Sequence, residues 1–433
     1  MGWEIRRGLS CSVPDGARGF LVLRSPLDGV KTIRMTTFRE STFTSLTLPD
    51  TVRTLERLSF HRCLQLTSIS LPESLTTIES STFKDCSALA SLEIPPSVTH
   101  IGFDAFQNCY ALKSVTLPYK LKTLGKGAFS GCKRLTSLTI PDGWTTISAS
   151  AFENCYSIKA LTLSRNLMSV EERAFAGCRR ITSLKLPTTI TNVGKEAFYM
   201  CSQLTSVSIS DGLKTIEKSC FAECSRLVSL ALPSTLTRIG PSAFRACKNI
   251  KSLIIPHTVT SIGEDAFNNS PPEYLTNCDD VPPRGPVSVS WPAALTTIGR
   301  DAFAGCAMES LSLPDTVTDI GFGAFYKCRN LTSITLPDGL AQVGGEAFKK
   351  CVSLTRVVIR PRVSITFLVW ALGHSRNRSN WRRTTVKWLR NVLGLIAMFA
   401  LERRNARSLD PDGWRRVFKG CPSLGDLAKC IPP

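Results

Sequence analysis

Histidine is nearly missing from this chain, with four in 433 residues. That argues against a metal centre built on several imidazoles. Long apolar runs are missing too. The longest, Val392 to Leu401, is ten residues, about 15 Å of helix and half of a bilayer core. The opening Met1-Gly-Trp-Glu-Ile-Arg6 lacks the apolar stretch of a secretory signal. Arg6 stands where a myristoylation motif takes Ser or Thr. There is no P-loop, no HExxH and no GxSxG. Cys220 and Cys224 are four apart, without a second pair or a convergent His to complete a zinc set. The expectation is a non-enzyme with no catalytic residues, no metal and no cofactor. It is expected in the cytoplasm, with the cell surface by an unrecognised export route as the alternative.

Phenylalanine is the residue whose placement organises the chain. Phe60, Phe83, Phe106, Phe129, Phe152, Phe175, Phe198, Phe221, Phe244 and Phe267 occupy every twenty-third position without exception, and the register resumes at Phe303, Phe325 and Phe348. A fixed period of this size means a solenoid or a similar array. In the unit Cys132-Lys-Arg-Leu-Thr-Ser-Leu-Thr-Ile-Pro141, Leu135, Leu138 and Ile140 are spaced as the inward residues of a short strand. Pro141 cannot donate to a ladder, so it ends the strand and opens a turn. Ile147 faces inward from the opposite wall, and Ala151-Phe152 fills the far end of the coil. Glycine often follows the Ile147 position, as in Gly102, Gly125, Gly263 and Gly321, which suggests a bend with positive φ. Each coil can bury its face only against the next.

Seventeen cysteines would suggest disulfides in a small secreted chain, but twelve of them, from Cys63 to Cys351, share one position of the repeat. A column of reduced, buried thiols is the plainest reading. Disulfides between neighbouring coils, or a redox role, remain open.

The pattern L-x-x-L-x-L-P, I-G, A-F-x-x-C carries a family likeness. Leu112-Lys-Ser-Val-Thr-Leu-Pro118, Leu124-Gly125 and Ala128-Phe129-Ser-Gly-Cys132 resemble the BspA-like subclass of leucine-rich repeats, over about residues 38–361. The resemblance implies a β-rich, right-handed solenoid. It also implies a non-catalytic binding protein, a role that several members fill as surface adhesins.

The expected organisation is therefore an N-terminal cap over 1–37, a leucine-rich-repeat solenoid of about 13–14 coils over 38–361, and a basic C-terminal cap with an amphipathic helix over 362–433. Pro271, Pro272, Pro282, Pro283 and Pro286 make 270–286 a loop insertion. Tyr274, Asp279 and Asp280 in it are candidate partner contacts. Residues 360–420 carry a net +11 and four of the seven Trp. Arg376, Arg378, Arg382, Arg383, Lys387 and Arg390 cluster there, ahead of apolar residues at helical intervals (Leu389, Val392, Leu393, Ile396). A solvated cap, a dock for an acidic partner and adsorption to an anionic membrane surface are the three readings of that cluster.

Along the strands the outward residues are small and hydroxylic: Ser68 and Ser70, Ser114 and Thr116, Ser137 and Thr139, Ser206 and Ser208, Ser333 and Thr335. Such columns suit strand pairing and also offer a flat surface of donors and acceptors. The functional expectation is a scaffold for a protein ligand. The alternatives are an adhesin for a host or matrix protein or glycan, and a regulatory protein docking through its basic C-terminal segment. Neither specific nucleic-acid binding nor a transmembrane span is expected.

Overall fold

A computed structural model describes residues 20–22, 30–269 and 288–359. They form a β-solenoid of about 13 turns, one turn to each sequence repeat, with no helix among the described residues. The helical cap expected for 362–433, and the loop 270–286, lie outside the described residues.

Each coil contributes two short strands. One wall carries three-residue strands such as β11 (Ser137–Thr139) and β13 (Ala160–Thr162), which pair in parallel with Leu138 opposite Leu161. The second wall carries two-residue strands such as β12 (Thr146–Ile147) and β14 (Ser169–Val170), also parallel. Parallel pairing at equal register is what a constant coil length demands, since every residue then meets its own equivalent one turn later.

The third wall is not made of strands, and the sequence pattern hid how it is built. Two residues per coil, two before and two after each Phe, take left-handed backbone: Asp104 (φ 53°) and Asn108 (φ 62°) around Phe106, Ser150 (φ 53°) and Asn154 (φ 59°) around Phe152. This turns alternate amides toward the next coil. Ser81 N–H donates to the Phe103 carbonyl at 2.8 Å, Phe83 to Ala105 at 2.7 Å and Asp85 to Gln107 at 2.8 Å. Asn, Asp, Ser and Gly recur at these two positions because they tolerate that conformation at least cost.

Inside, the phenylalanines form one continuous stack. Successive rings from Phe38 to Phe348 lie 5.0–5.8 Å apart with planes 3–18° from parallel. Parallel rings at that centroid distance are offset rather than face-on, the favoured arrangement. The stack crosses the insertion intact: Phe267 and Phe303 are 5.2 Å apart. β21 (Ser252–Ile254) still pairs with β23 (Ser288–Ser290). Leu135, Leu138, Ile140 and Ile147 are buried as expected.

The ladders also run into the stretch assigned to the N-terminal cap. β1 (Phe20–Val22) pairs with β3 (Ser45–Thr47), and β2 (Thr32–Ile33) with β4 (Thr54–Leu55). Phe38 is buried against Phe60 at 5.1 Å. Its coil is one residue short of the repeat, which hid it from the strict period.

The glycines after the second-wall strand are a correction. Gly102, Gly125, Gly263 and Gly321 do not have positive φ; the left-handed glycines are others, such as Gly127 and Gly131. Their reason is crowding. A Cβ on Gly125 would sit 2.3 Å from the Gly102 carbonyl carbon and from the Phe103 nitrogen, and one on Gly321 2.5 Å from the Arg300 nitrogen. The backbones of adjacent coils pass too closely at this corner for a side chain.

Candidate functional site

The three-residue strands present the most regular polar surface of the molecule. The commonest arrangement buries the central residue and exposes the two flanking ones, as in Ser68-Ile-Ser70, Ser137-Leu-Thr139 and Ser310-Leu-Ser312. Leu138 and its equivalents anchor the strand to the core, so the Cα–Cβ bonds on either side are fixed in position and direction.

Two hydroxyl columns lie next to each other and behave differently. The threonine just before the strand spends its proton on the preceding coil: Thr67 Oγ1 donates to the Thr44 carbonyl at 2.8 Å, Thr205 to Thr182 at 2.9 Å, and Thr332 to Glu309 at 2.9 Å. That column is structural. The next one is not committed. Ser137, Ser183 and Ser229 are exposed. Their hydroxyls make no side-chain hydrogen bond among the described residues, and Ser183, Ser206 and Ser229 stand opposite one another in register. The column supplies donors and acceptors at the ladder interval along many coils, with little charge. Ala160 interrupts it opposite Ser137, and exposed Arg356 opposite Ser333. The column on the other side of the buried residue carries Glu93 and Lys185, and Ile254, 73% exposed.

The thiol column faces the other way. Twelve described cysteines are buried, and Cys351 is half-buried. Those at the repeat position donate to the carbonyl of the Phe one coil earlier, as Cys132 does to Phe106 at 3.4 Å and Cys155 to Phe129 at 3.2 Å. Burial pushes the Cys201 and Cys306 thiols up to about 12, where they are neutral and unreactive. All described cysteines are free, so disulfides between neighbouring coils form no part of this fold.

A shallow, open depression of about 390 Å³ lies on the third wall, lined by Phe103, Gln107, Lys126 and Glu153 among others. Its carboxylates are already engaged. Asp104 pairs with Lys84 at 3.1 Å, and Glu153 with Arg173 at 2.7 Å. Among the described residues no group of three or more His, Cys, Asp or Glu is placed to hold a metal ion, and no helix is long and apolar enough to cross a membrane.

The partner-binding residues named from sequence are not among those brought together here. Arg376, Arg378, Arg382, Arg383, Lys387 and Arg390 lie outside the described residues, as do Tyr274, Asp279 and Asp280.

The family model of the BspA-type leucine-rich repeat region matches residues 31–159, 145–272 and 287–367, in six copies. The chain belongs to the BspA-type leucine-rich repeat family. This BspA-type chain is similar to a leucine-rich repeat protein from Bacteroides ovatus whose crystal structure is known. Identity is 23%, covering 76% of this chain and 88% of that one, with a TM-score of 0.50. It is also similar to a leucine-rich cell surface protein from Faecalibacterium prausnitzii, at 20% identity over 82% and 90% of the two chains with a TM-score of 0.43. No curated protein matches. The likeness to solved structures extends to the fold.

Proposed function

We propose that this BspA-type chain is a non-enzymatic scaffold that binds a protein ligand along the solvent face of its three-residue strands. The observation that carries the reading is the contrast between the two hydroxyl columns. The Thr67, Thr205 and Thr332 column hydrogen-bonds within the chain, whereas the Ser137, Ser183 and Ser206 column, one residue on, makes no side-chain hydrogen bond among the described residues. A surface of this kind binds with little backbone ordering cost, because core packing already fixes the strands that carry it. Its length lets a partner touch several coils at once, the way solenoids form extended binding surfaces.

A photo-crosslinking amino acid placed in turn at Ser137, Ser183 and Ser206, with Asn192 on the second wall as control, tests the proposal. The strand-face positions are expected to give one discrete protein adduct in cell extract, and Asn192 none. Equal labelling from both walls, or no adduct from any strand-face position, rejects it.

A further inference from the structure

The array as a whole carries little net charge, yet its cations are not spread evenly. The four residues after each repeat cysteine form the turn that leads into the three-residue strand. Over the seven successive coils from Cys109 to Cys247 these turns hold nine Lys or Arg and no Asp or Glu. Lys113, Lys133, Arg134, Lys159, Arg179 and Arg180 are all exposed. None of the nine makes an ion pair with a carboxylate among the described residues. The cations elsewhere that do pair, such as Lys84 and Arg173, lie on the third wall.

The turns are tied coil to coil by their backbones, which sets these cations in a line. Thr136 N–H donates to the Lys113 carbonyl at 3.1 Å and Lys159 N–H to Thr136 at 2.9 Å. Tyrosines help to order the line. Lys133 lies over the Tyr110 ring at 4.2 Å, and Arg179 over Tyr156 at 4.7 Å. The doublets Lys133–Arg134 and Arg179–Arg180 are two coils apart, and each step of the ring stack between them is 5.6 Å.

We propose that this edge is a binding site for a linear acidic polysaccharide, one bearing sulfates or uronates, laid along the solenoid axis. This is a second surface, independent of the strand-face reading. A regular line of positive charge matches a polymer of regular negative charge. Single-stranded nucleic acid fits less well, because its bases need free aromatic faces, and here the tyrosine rings are covered by the protein's own cations. A folded protein partner fits less well because such interfaces centre on apolar and aromatic anchors. Tyr110, 39% exposed, and Val228, 49%, are the large apolar side chains exposed in this line. Polymers of this kind are met outside the cell, so the proposal places this edge there. The buried thiols do not object, since burial protects them in either compartment.

The test uses the full chain and heparin as probe, measuring affinity as a function of salt. A variant K133S/R134Q/R179S/R180Q gives two coils the side chains that Ser202 and Gln203 supply naturally in a third, so the fold has a precedent for them. Binding is expected to weaken roughly tenfold or more, with a shallower salt dependence. The companion variant R376S/R378S/R382S/R383S is expected to lose less. Poly-L-glutamate and oligo-dT of equal charge are expected to compete poorly. The proposal is overturned if the first variant binds heparin like the native chain, if the second accounts for the whole affinity, or if either control polymer competes as well as heparin. Should the quadruple variant fail to fold, R134E and R180E singly give the same reading.

Discussion

Phe175 and Phe198, one repeat apart in sequence, lie 5.5 Å apart with ring planes 9° from parallel. The Phe175 amide reaches the same coil, donating to the Ala197 carbonyl at 2.9 Å. Ring and backbone thus bind the same pair of turns. Removing the ring leaves a cavity between coils that the flanking backbone ladders keep from collapsing. Phe175→Ala should cost about 3–5 kcal/mol and convert one unfolding transition into two, because a repeat array is coupled only through neighbours. Denaturant titration followed by a probe in each half checks this.

The glycine corner gives a sharper contrast. Gly125→Ala places a methyl 2.3 Å from the backbone of the preceding coil, which cannot step aside. We expect a loss of about 1–3 kcal/mol or more, as for overpacking elsewhere. Gly127→Ser, two residues on, should be nearly neutral despite a positive φ of 68°. The neighbouring coils already hold Asp104 and Ser150 in that conformation, and the atom a Cβ would meet is the movable Asp104 carboxylate oxygen. Thermal midpoints of the two variants decide it.

Hydroxyl loss should separate the two columns. Thr205→Val removes the bond to the Thr182 carbonyl at 2.9 Å and should cost about 0.5–1.5 kcal/mol. Ser206→Ala, its neighbour, removes no bond within the described residues. It should leave stability unchanged and weaken only partner capture. A stability loss for Ser206→Ala equal to that for Thr205→Val would mean that the serine column is structural.

The thiol column makes the fold sensitive to alkali. Burial raises the Cys201 and Cys306 thiols from their ordinary value near 9 to about 12. Above pH 9 the unfolded chain therefore releases protons that the native chain keeps, and unfolding becomes easier as pH rises. Each such thiol contributes a slope of up to about 1.4 kcal/mol per pH unit, beginning near pH 9 and ending near 12 for Cys201. The thermal midpoint should fall steeply in that window, and Cys201→Ala should reduce the slope by one proton. At pH 7 a thiol-reactive dye should label native protein far more slowly than unfolded protein.

Much of this molecule was legible because the repeat multiplies weak signals. Leu138 alone says little; the same residue recurring at Leu161 and Leu184, coil after coil, fixes an inward face. The Phe spacing announced the stack, and the shared cysteine position announced a buried column. The misread glycines show the limit. A residue required by positive φ and one required by crowding look alike in sequence, and only the neighbouring coil distinguishes Gly125 from Gly127. The signal of the third wall is present but diluted: Asp, Asn, Ser or Gly stands two places either side of Phe83, Phe106, Phe129 and Phe152, but Leu58 and Arg62 flank Phe60, and Glu196 and Met200 flank Phe198. The basic edge is hidden in the small net charge of the array and shows only by position within the repeat. The C-terminal arginines attracted attention by sheer density, and they fall outside the described residues.

The described coils share a single ring stack in which Phe267 packs directly on Phe303. Hydrogen exchange at the phenylalanine amides addresses it most directly, since each donates to the next coil, Phe152 to Ala174 at 2.9 Å and Phe267 to Ala302 at 2.7 Å. Slow exchange of uniform depth from Phe60 through Phe325, with no step between Phe267 and Phe303, is the expected result. Rapid exchange at these amides, or protection that breaks at the insertion, would contradict a continuous scaffold.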